Sequence, residues 1–501
     1  MNDIMIIGGG SAGWMTAATL IKFFPNKNIS LIESPNISTV GVGESTLGQI
    51  RQWTNSLGID EKDFISHTDA SYKLSIKFTD FYKKGSSFHY PFGNPNYDNN
   101  IDKLNDWWYK KSIISNTSES DYADCMFPQM SLVNQNKISF KNENLKPFNF
   151  CEDTAFHFDA TKFGLWLRDH FCLPRGVKHI KEDIKDIKTN EDGIESLNNY
   201  KADLYIDCTG FKSLLLSKTL KEEFISYNDL LPNNSAWATK IDYNDKEKEL
   251  KPYTNCTAIN NGWVWNIPLW SRIGTGYVYS DKFISDKEAL KEFKKYLGKD
   301  NLEFKNIKMR VGIHKRLWVK NVAAIGLSAG FIEPLESNGL FSVHEFLHHL
   351  VRALQRDEIN QFDKDNFNYS CRYMFHNFAE FVALHYALST RKDTEYWKSN
   401  SKKVWKKQSN FPSHITESII NKNINMKFND NHGIHCIAAG MNWAPIDLPS
   451  IMKFKHESNI DVLKTKYKSV INNLEVKKSR WYKSVKNEKS LYQFLKDNYY
   501  E

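Results

Sequence analysis

The chain has 501 residues, is 41% hydrophobic and 14% aromatic, and carries a formal net charge of +8. That length suits two or three lobes; no apolar run of about 18 residues marks a membrane helix, and no recognised motif turns the dispersed positive charge into a nucleic-acid site. Seven scattered cysteines without a CxxC pair argue against a disulfide framework or a cysteine zinc site and read as buried free thiols.

In chain order, residues 4–8 (Ile-Met-Ile-Ile-Gly) form a short buried strand. It runs into Gly8-Gly9-Gly10-Ser11-Ala12-Gly13, and Trp14 to Phe24 then reads as a helix. Only Met1, Asn2 and Asp3 precede the apolar run, which is needed as a strand; it is not read as a secretory signal, and the protein is expected in the cytoplasm. Gly8-x-Gly10-x-x-Gly13 fits a dinucleotide turn: Gly8 permits the tight turn, Gly10 lets backbone approach a pyrophosphate, and Gly13 lets the helix pack on the strand. A second strand, Ile29-Ser30-Leu31-Ile32-Glu33, ends about 20 residues on in an acid suited to ribose hydroxyls. A plain structural glycine turn is the alternative.

Further along, Val40-Gly41-Val42-Gly43-Glu44-Ser45-Thr46 is a glycine-bearing loop. Tyr72-Lys73-Leu74-Ser75-Ile76-Lys77-Phe78 alternates like a strand, with Lys73 and Lys77 on one face; by that pattern alone Lys73 is a surface residue. Ala202 to Asp207 reads as a strand before Cys208-Thr209-Gly210, and Val322 to Gly326 as a strand before Ser328-Ala329-Gly330. Trp263-Val264-Trp265-Asn266-Ile267-Pro268 puts two aromatics on one strand face, which a core strand would also do. Gly274-Thr275-Gly276 is the nearest approach to a second glycine fingerprint, but Tyr277-Val278-Tyr279 continues it as strand. A flavin enzyme without its own NAD(P)H site must receive reduced flavin from another protein.

Glu333-Pro334-Leu335-Glu336-Ser337-Asn338-Gly339 precedes an amphipathic helix whose stripe is Val343, Phe346, Leu347, Leu350, Val351 and Leu354. Ser337 and Asn338 are good capping residues, and the helix amides near Asn338 and Gly339 form a small positive pocket for an anion; a plain N-cap is the bland alternative. His344-Glu345-Phe346-Leu347-His348 matches the zinc motif HExxH. The histidines flank the apolar stripe, Glu345 points nearly opposite, and no third ligand stands out, so a solvated helix face is expected and no metal.

Together these segments resemble the flavin-dependent halogenases of the tryptophan halogenase type, from the N-terminus to about Trp443, most specifically through WxWxIP at 263–268 and Gly-Phe-Ile-Glu-Pro-Leu-Glu-Ser at 330–337. The resemblance implies an α/β fold: an FAD-binding, Rossmann-type, flavin monooxygenase-like domain, discontinuous in sequence, with a helix-rich substrate lobe. It implies FAD, supplied reduced by a separate NAD(P)H-dependent flavin reductase, held by Gly8, Gly10, Ser11, Ala12, Gly13, Glu33, Val40, Gly43, Glu44, Ser45, Thr46, Gly326 and Leu327. A halide ion would sit on the amides of Asn338 and Gly339 and be oxidised to hypohalous acid, which reaches the catalytic Lys73; Glu336 would be the essential carboxylate. Tyr90, Pro91 and Phe92 would meet a small aromatic substrate, with Trp263, Trp265, Ile267, Pro268 and Ser337 lining the passage between the two stations. Two departures matter. Asn338 stands where the family commonly has threonine, which shifts the expected halide toward bromide or iodide; Tyr90 replaces a histidine, which favours an indole, phenol or other electron-rich arene over free tryptophan.

The FAD module is expected in residues 1–80, 150–215 and 255–340, and the helix-rich lobe in 81–149 and 341–501, with charged helices from Lys453 onward. No membrane or nucleic-acid partner is expected, and a homo-oligomer is compatible with this reading. The rivals are a flavin monooxygenase hydroxylating an arene, a zinc peptidase, and a flavin-binding sensor.

Overall fold

The computed structural model describes the chain except residues 37–42, 99–102, 104–105, 115, 357, 402–431, 444–459 and 501. It divides into two units: Met1–Ser71, Phe156–Ile241 and Leu269–Glu380 form the first, and Tyr72–Ala155, Asp242–Pro268 and Phe381–Glu501 the second.

The first unit is built on a six-stranded sheet in the order Trp318–Val319, Val322–Ala324, Leu204–Asp207, Asp3–Ile7, Asn28–Glu33, Lys178–Lys181. All neighbours are parallel except the terminal pair. The central strand is a continuous apolar run because a parallel sheet is buried on both faces: Ile4 pairs with Leu204 and Ile29, Ile6 with Ile206 and Leu31. The helix Ser11–Phe23 connects the first two parallel strands, the crossover of a Rossmann-type fold. It starts three residues earlier than expected, because Gly10 already has the extended backbone of an N-cap. Met5, Ile7, Ile32, Tyr205 and Val322 anchor the core on one side of this sheet. A second sheet pairs Ser235–Ile241 antiparallel with Ile273–Tyr279 and Lys305–Lys308.

In the second unit, Tyr253–Ile259 lies between Gly262–Pro268, its antiparallel hairpin partner, and Ser75–Thr79, a parallel one. Ser87–Pro91 closes that edge antiparallel to Ser75–Thr79. The helix Ile460–Ser484 packs on Asp106–Ile113 and Asp121–Met126, and His432–Gly440 packs on Ser87–Pro91. Of the charged C-terminal stretch, residues 453–459 lie outside the described residues; the rest forms Ile460–Ser484 and Leu491–Tyr499, with Leu474 buried.

Two expectations need correcting, and the packing units follow other bounds than the expected modules. The strand expected over 72–78 breaks at Leu74, whose amide turns to the carbonyl of Pro252 and splits it into Ser71–Lys73 and Ser75–Thr79. The break ends the simple alternation, so Lys73 is fully buried while Lys77 is half-buried. Six cysteines are buried thiols, but Cys151, on the one-turn surface helix Phe150–Asp153, is exposed. The packing units also cut the chain elsewhere than the motifs do. Gly262–Pro268 belongs to the second unit through its hairpin, and the helix Gly339–Leu354 to the first, where it packs on Ser11–Phe23.

Candidate active site

In the first unit the glycine turn is forced by backbone contacts. Gly8 has φ +112°, and a Cβ there would lie 2.4 Å from the carbonyl oxygen of Cys208. A Cβ on Gly13 would lie 1.9 Å from the Gly8 oxygen, so the helix can approach the strand only as glycine. No side chain caps the helix Ser11–Phe23, and its first turn has no acid. Its leading amides, from Ser11, Ala12 and Gly13, therefore form a positive cradle suited to a pyrophosphate. Gly326, with φ +73°, abuts that turn: its Cβ would lie 2.8 Å from the Ala12 methyl carbon. Glu33, ending its strand, turns one carboxylate oxygen over Gly9 and the other to His179 Nε2 at 2.7 Å. Uncapped amides, a glycine surface without side chains and an acid at the next strand end fit the phosphate and ribose chemistry of FAD.

Of the expected strap, Val40 lies outside the described residues. Gly43, Glu44 and Ser45 pair antiparallel with Asp159, Phe158 and His157. The hydroxyl of Thr46 donates to the carbonyl of Phe156 at 2.9 Å and accepts from its amide at the same distance. Ser45 accepts from the hydroxyl of Ser337 at 3.0 Å, so the expected strap and the expected anion turn are joined.

That turn has its own construction. Glu333 is buried and accepts from Asn233 Nδ2 at 2.6 Å. Pro334–Glu336 makes one helical turn, Glu336 is fully buried, and Ser337 takes a left-handed φ of +58°. The expectation that Ser337 or Asn338 caps the next helix fails. Ser337 donates elsewhere, and Asn338 Nδ2 donates back to the carbonyl of Glu333 at 3.2 Å, so no side chain caps Gly339–Leu354 and no acid lies in its first turn. The helix start therefore keeps its positive character. It opens on a pocket lined by Leu327, Phe331, Ile332, Phe341, Phe375 and Phe378 among others, with no charged side chain in the lining.

The HExxH segment builds no metal centre among the described residues. His344 is buried rather than solvated, edge-on to Phe341 with ring centroids 5.4 Å apart, because it turns toward the aromatic side of the helix; His348 is exposed. The only metal-like grouping there is Asp121, Cys125 and Glu475, and Lys110 already fills it, with Nζ 2.6 Å from both carboxylates.

In the second unit Lys73 Nζ stands 4.9 Å above the centroid of the Phe92 ring. Phe92 is held there by its amide bonding the Leu74 carbonyl at 3.0 Å and by its own carbonyl accepting from Gln129 Nε2. Tyr90 is half-buried, edge-on to Phe92 and to Phe381, and Pro91 is buried between them in sequence. Trp263, Trp265 and Ile267 share one strand face, and all three and Pro268 are buried; the indoles sit 6.3 Å apart.

Sequence reading passed over four neighbours. His89, beside Tyr90, is buried and hydrogen-bonds Ser75 Oγ at 3.0 Å; burial, aided by Lys77, holds its imidazole down at about 3. Asp153 packs under Gly93, and burial pushes its carboxyl up to about 6. Gln129 and His179 touch expected residues through single bonds between distant segments. Only the adjacency of His89 to Tyr90-Pro91-Phe92 offered a signal.

Comparisons with known proteins agree on one family. Its model, described as tryptophan halogenase, matches residues 3–452. Tryptophan 6-halogenase ThaL of Streptomyces albogriseolus is 32% identical over 497 residues, spanning 91% of this chain and 92% of that protein. The apo structure of VirX1 superposes with a TM-score of 0.91 at 37% identity over 100% of both chains. The tryptophan 6-halogenase SttH of Streptomyces toxytricini does so with a TM-score of 0.83 at 29% identity over 99% of each.

Proposed function

The chain belongs to the tryptophan halogenase family of flavin-dependent halogenases, and from that we propose that it halogenates an electron-rich, indole- or phenol-like arene through Lys73 and Glu336. The rival hydroxylating monooxygenase is not favoured by this membership. We assign FAD to the cradle of Gly8, Gly10, Ser11, Ala12 and Gly13, with Glu33 on the ribose and Val40, Gly43, Glu44, Ser45, Thr46, Gly326 and Leu327 along the remainder. When bound reduced, FAD would supply the two electrons and two protons with which oxygen, halide and a further proton become hypohalous acid and water. A separate NAD(P)H-dependent reductase provides that reduced flavin, and the cytoplasm is the compartment this reading expects. Among the described residues no helix is long and apolar enough to cross a membrane.

The residues then divide the work. The amides of Asn338 and Gly339 hold the halide. Their pocket offers amides and apolar rings but no cation. A halide must therefore shed water without a charged partner, which costs less for a larger ion; this supports bromide or iodide over chloride. Trp263 and Trp265, with Ile267, Pro268 and Ser337, keep the arene from the flavin and so suppress hydroxylation. Lys73 either hydrogen-bonds hypohalous acid or takes its halogen, the amine losing a proton and water leaving as an N–X bond forms. The ring carbon then bonds the halogen as its N–X or O–X bond breaks, Glu336 accepts the proton that the ring loses, and a proton returns to the Lys73 nitrogen or to the departing hydroxide. Tyr90, Pro91 and Phe92 hold the ring.

The observation that carries this reading is the burial of Lys73, an amine on a strand end with no exposed surface, poised over an aromatic ring. Its test supplies FAD, NADH, a generic flavin reductase, oxygen and each halide with a panel of arenes. Mass spectrometry should find halogen in an indole or phenol, most with bromide or iodide. Hydroxylated product formed without halide would contradict it.

A further inference from the structure

We propose that His179 positions the Glu33 carboxylate for the adenosine ribose of FAD, and so sets the chain's preference for FAD over FMN; this rests on the reading that the glycine turn holds FAD. FMN ends at the first phosphate and lacks the adenosine ribose, so a device at the strand end beyond the pyrophosphate cradle distinguishes the two flavins.

Three elements converge on this point. Glu33 closes the strand Asn28–Glu33, and His179 lies on the neighbouring parallel strand Lys178–Lys181, two register positions back, opposite Leu31. The imidazole Nε2 donates to Glu33 Oε1 at 2.7 Å, while the other oxygen lies over Gly9, where any Cβ would collide with it. Trp14, buried in the first turn of the helix that starts at Ser11, presses against the imidazole ring with centroids 5.1 Å apart and planes at 79°. The imidazole is thus held by packing on one side and by a charge-assisted bond on the other. Arg168, whose charge also acts on Glu33, is engaged with Asp169 at 2.7 and 2.8 Å. Glu33 is 21% exposed and His179 12%, so the carboxylate is fixed yet reachable. A glutamate at a strand end otherwise loses rotamer freedom when it grips a ligand; one already held accepts two hydroxyl donors without that loss.

The test titrates the purified full-length chain with oxidised FAD and with FMN, read by flavin fluorescence. His179→Phe and His179→Ala should each weaken FAD about tenfold and leave FMN unchanged. His179→Gln, which keeps an N–H donor, should restore FAD affinity to within about threefold. In a Glu33→Ala background the loss of the imidazole should add nothing. Equal weakening of FAD and FMN, or no rescue by glutamine, would show that His179 only supports the fold and overturn the proposal. If Glu33→Ala weakens FAD while His179→Phe and His179→Ala bind it normally, positioning fails but the ribose reading stands. If Glu33→Ala itself binds FAD normally, the ribose reading fails first and the proposal with it.

Discussion

The glycine turn and the Lys73–Phe92 corner are built on opposite plans. At the turn the backbone is the instrument: amides at a helix start, and glycines whose missing Cβ atoms would meet carbonyl oxygens at 1.9 and 2.4 Å. At the corner one side chain is the instrument, and the backbone merely breaks a strand to bury it. Damage to the first should therefore act on flavin binding. Damage to the second should spare flavin and act on the arene.

Substitutions can break this contrast, and the largest effect is expected at the turn. Gly13→Ala puts a methyl against the Gly8 carbonyl, where neither strand nor helix can yield. FAD binding should be lost and stability should fall by about 3 kcal/mol, read by flavin titration and thermal melting. Glu336→Gln would remove the proposed proton acceptor while keeping the buried side chain's size. Aryl halogenation should drop about a hundredfold while NADH-driven flavin turnover stays near wild type. Phe92→Leu takes away the ring beneath the Lys73 amine. A cation–π contact of about 1 kcal/mol is at stake, so halogenation should slow about fivefold, again with flavin turnover intact.

A milder test concerns pH at the second region. Burial holds folded His89 at about 3, below the roughly 6.5 of an unfolded histidine. Its contribution to stability is thus fully present above about pH 6.5 and declines as pH falls toward 3. Replacing it with glutamine should flatten the acid side of the stability curve in that window, measured by urea unfolding at several pH values. An unchanged slope would mean the imidazole is charged or solvated when folded.

The same contrast explains what was legible. Gly8, Gly10, Gly13 and Glu33 were readable because backbone chemistry demands fixed spacing, and the first strand from its apolar run, whereas the Rossmann-type fold came with the family resemblance. The Lys73 corner was not readable from pattern: alternation placed Lys73 on the surface, and only the family resemblance singled it out. Nothing local announces that Leu74 turns to the Pro252 carbonyl. The turn at 333–339, expected to hold an anion, lay between these extremes. Its helix start was evident, but the capping residues spend their side chains on Ser45 and the Glu333 carbonyl. His344 was misjudged because helical periodicity ranks faces by hydrophobicity and does not foresee an aromatic neighbour such as Phe341.

The central claim is that an amine, Lys73, receives the oxidised halogen made elsewhere on the protein. Lys73→Ala, assayed with reductase, halide, arene and a small scavenger of hypohalous acid, tests it most directly. The expected result is oxygen and NADH consumption near wild type, scavenger still halogenated, and aryl halide below about one hundredth of wild type. Aryl halogenation at an undiminished rate, or loss of flavin turnover in step with product, would contradict it.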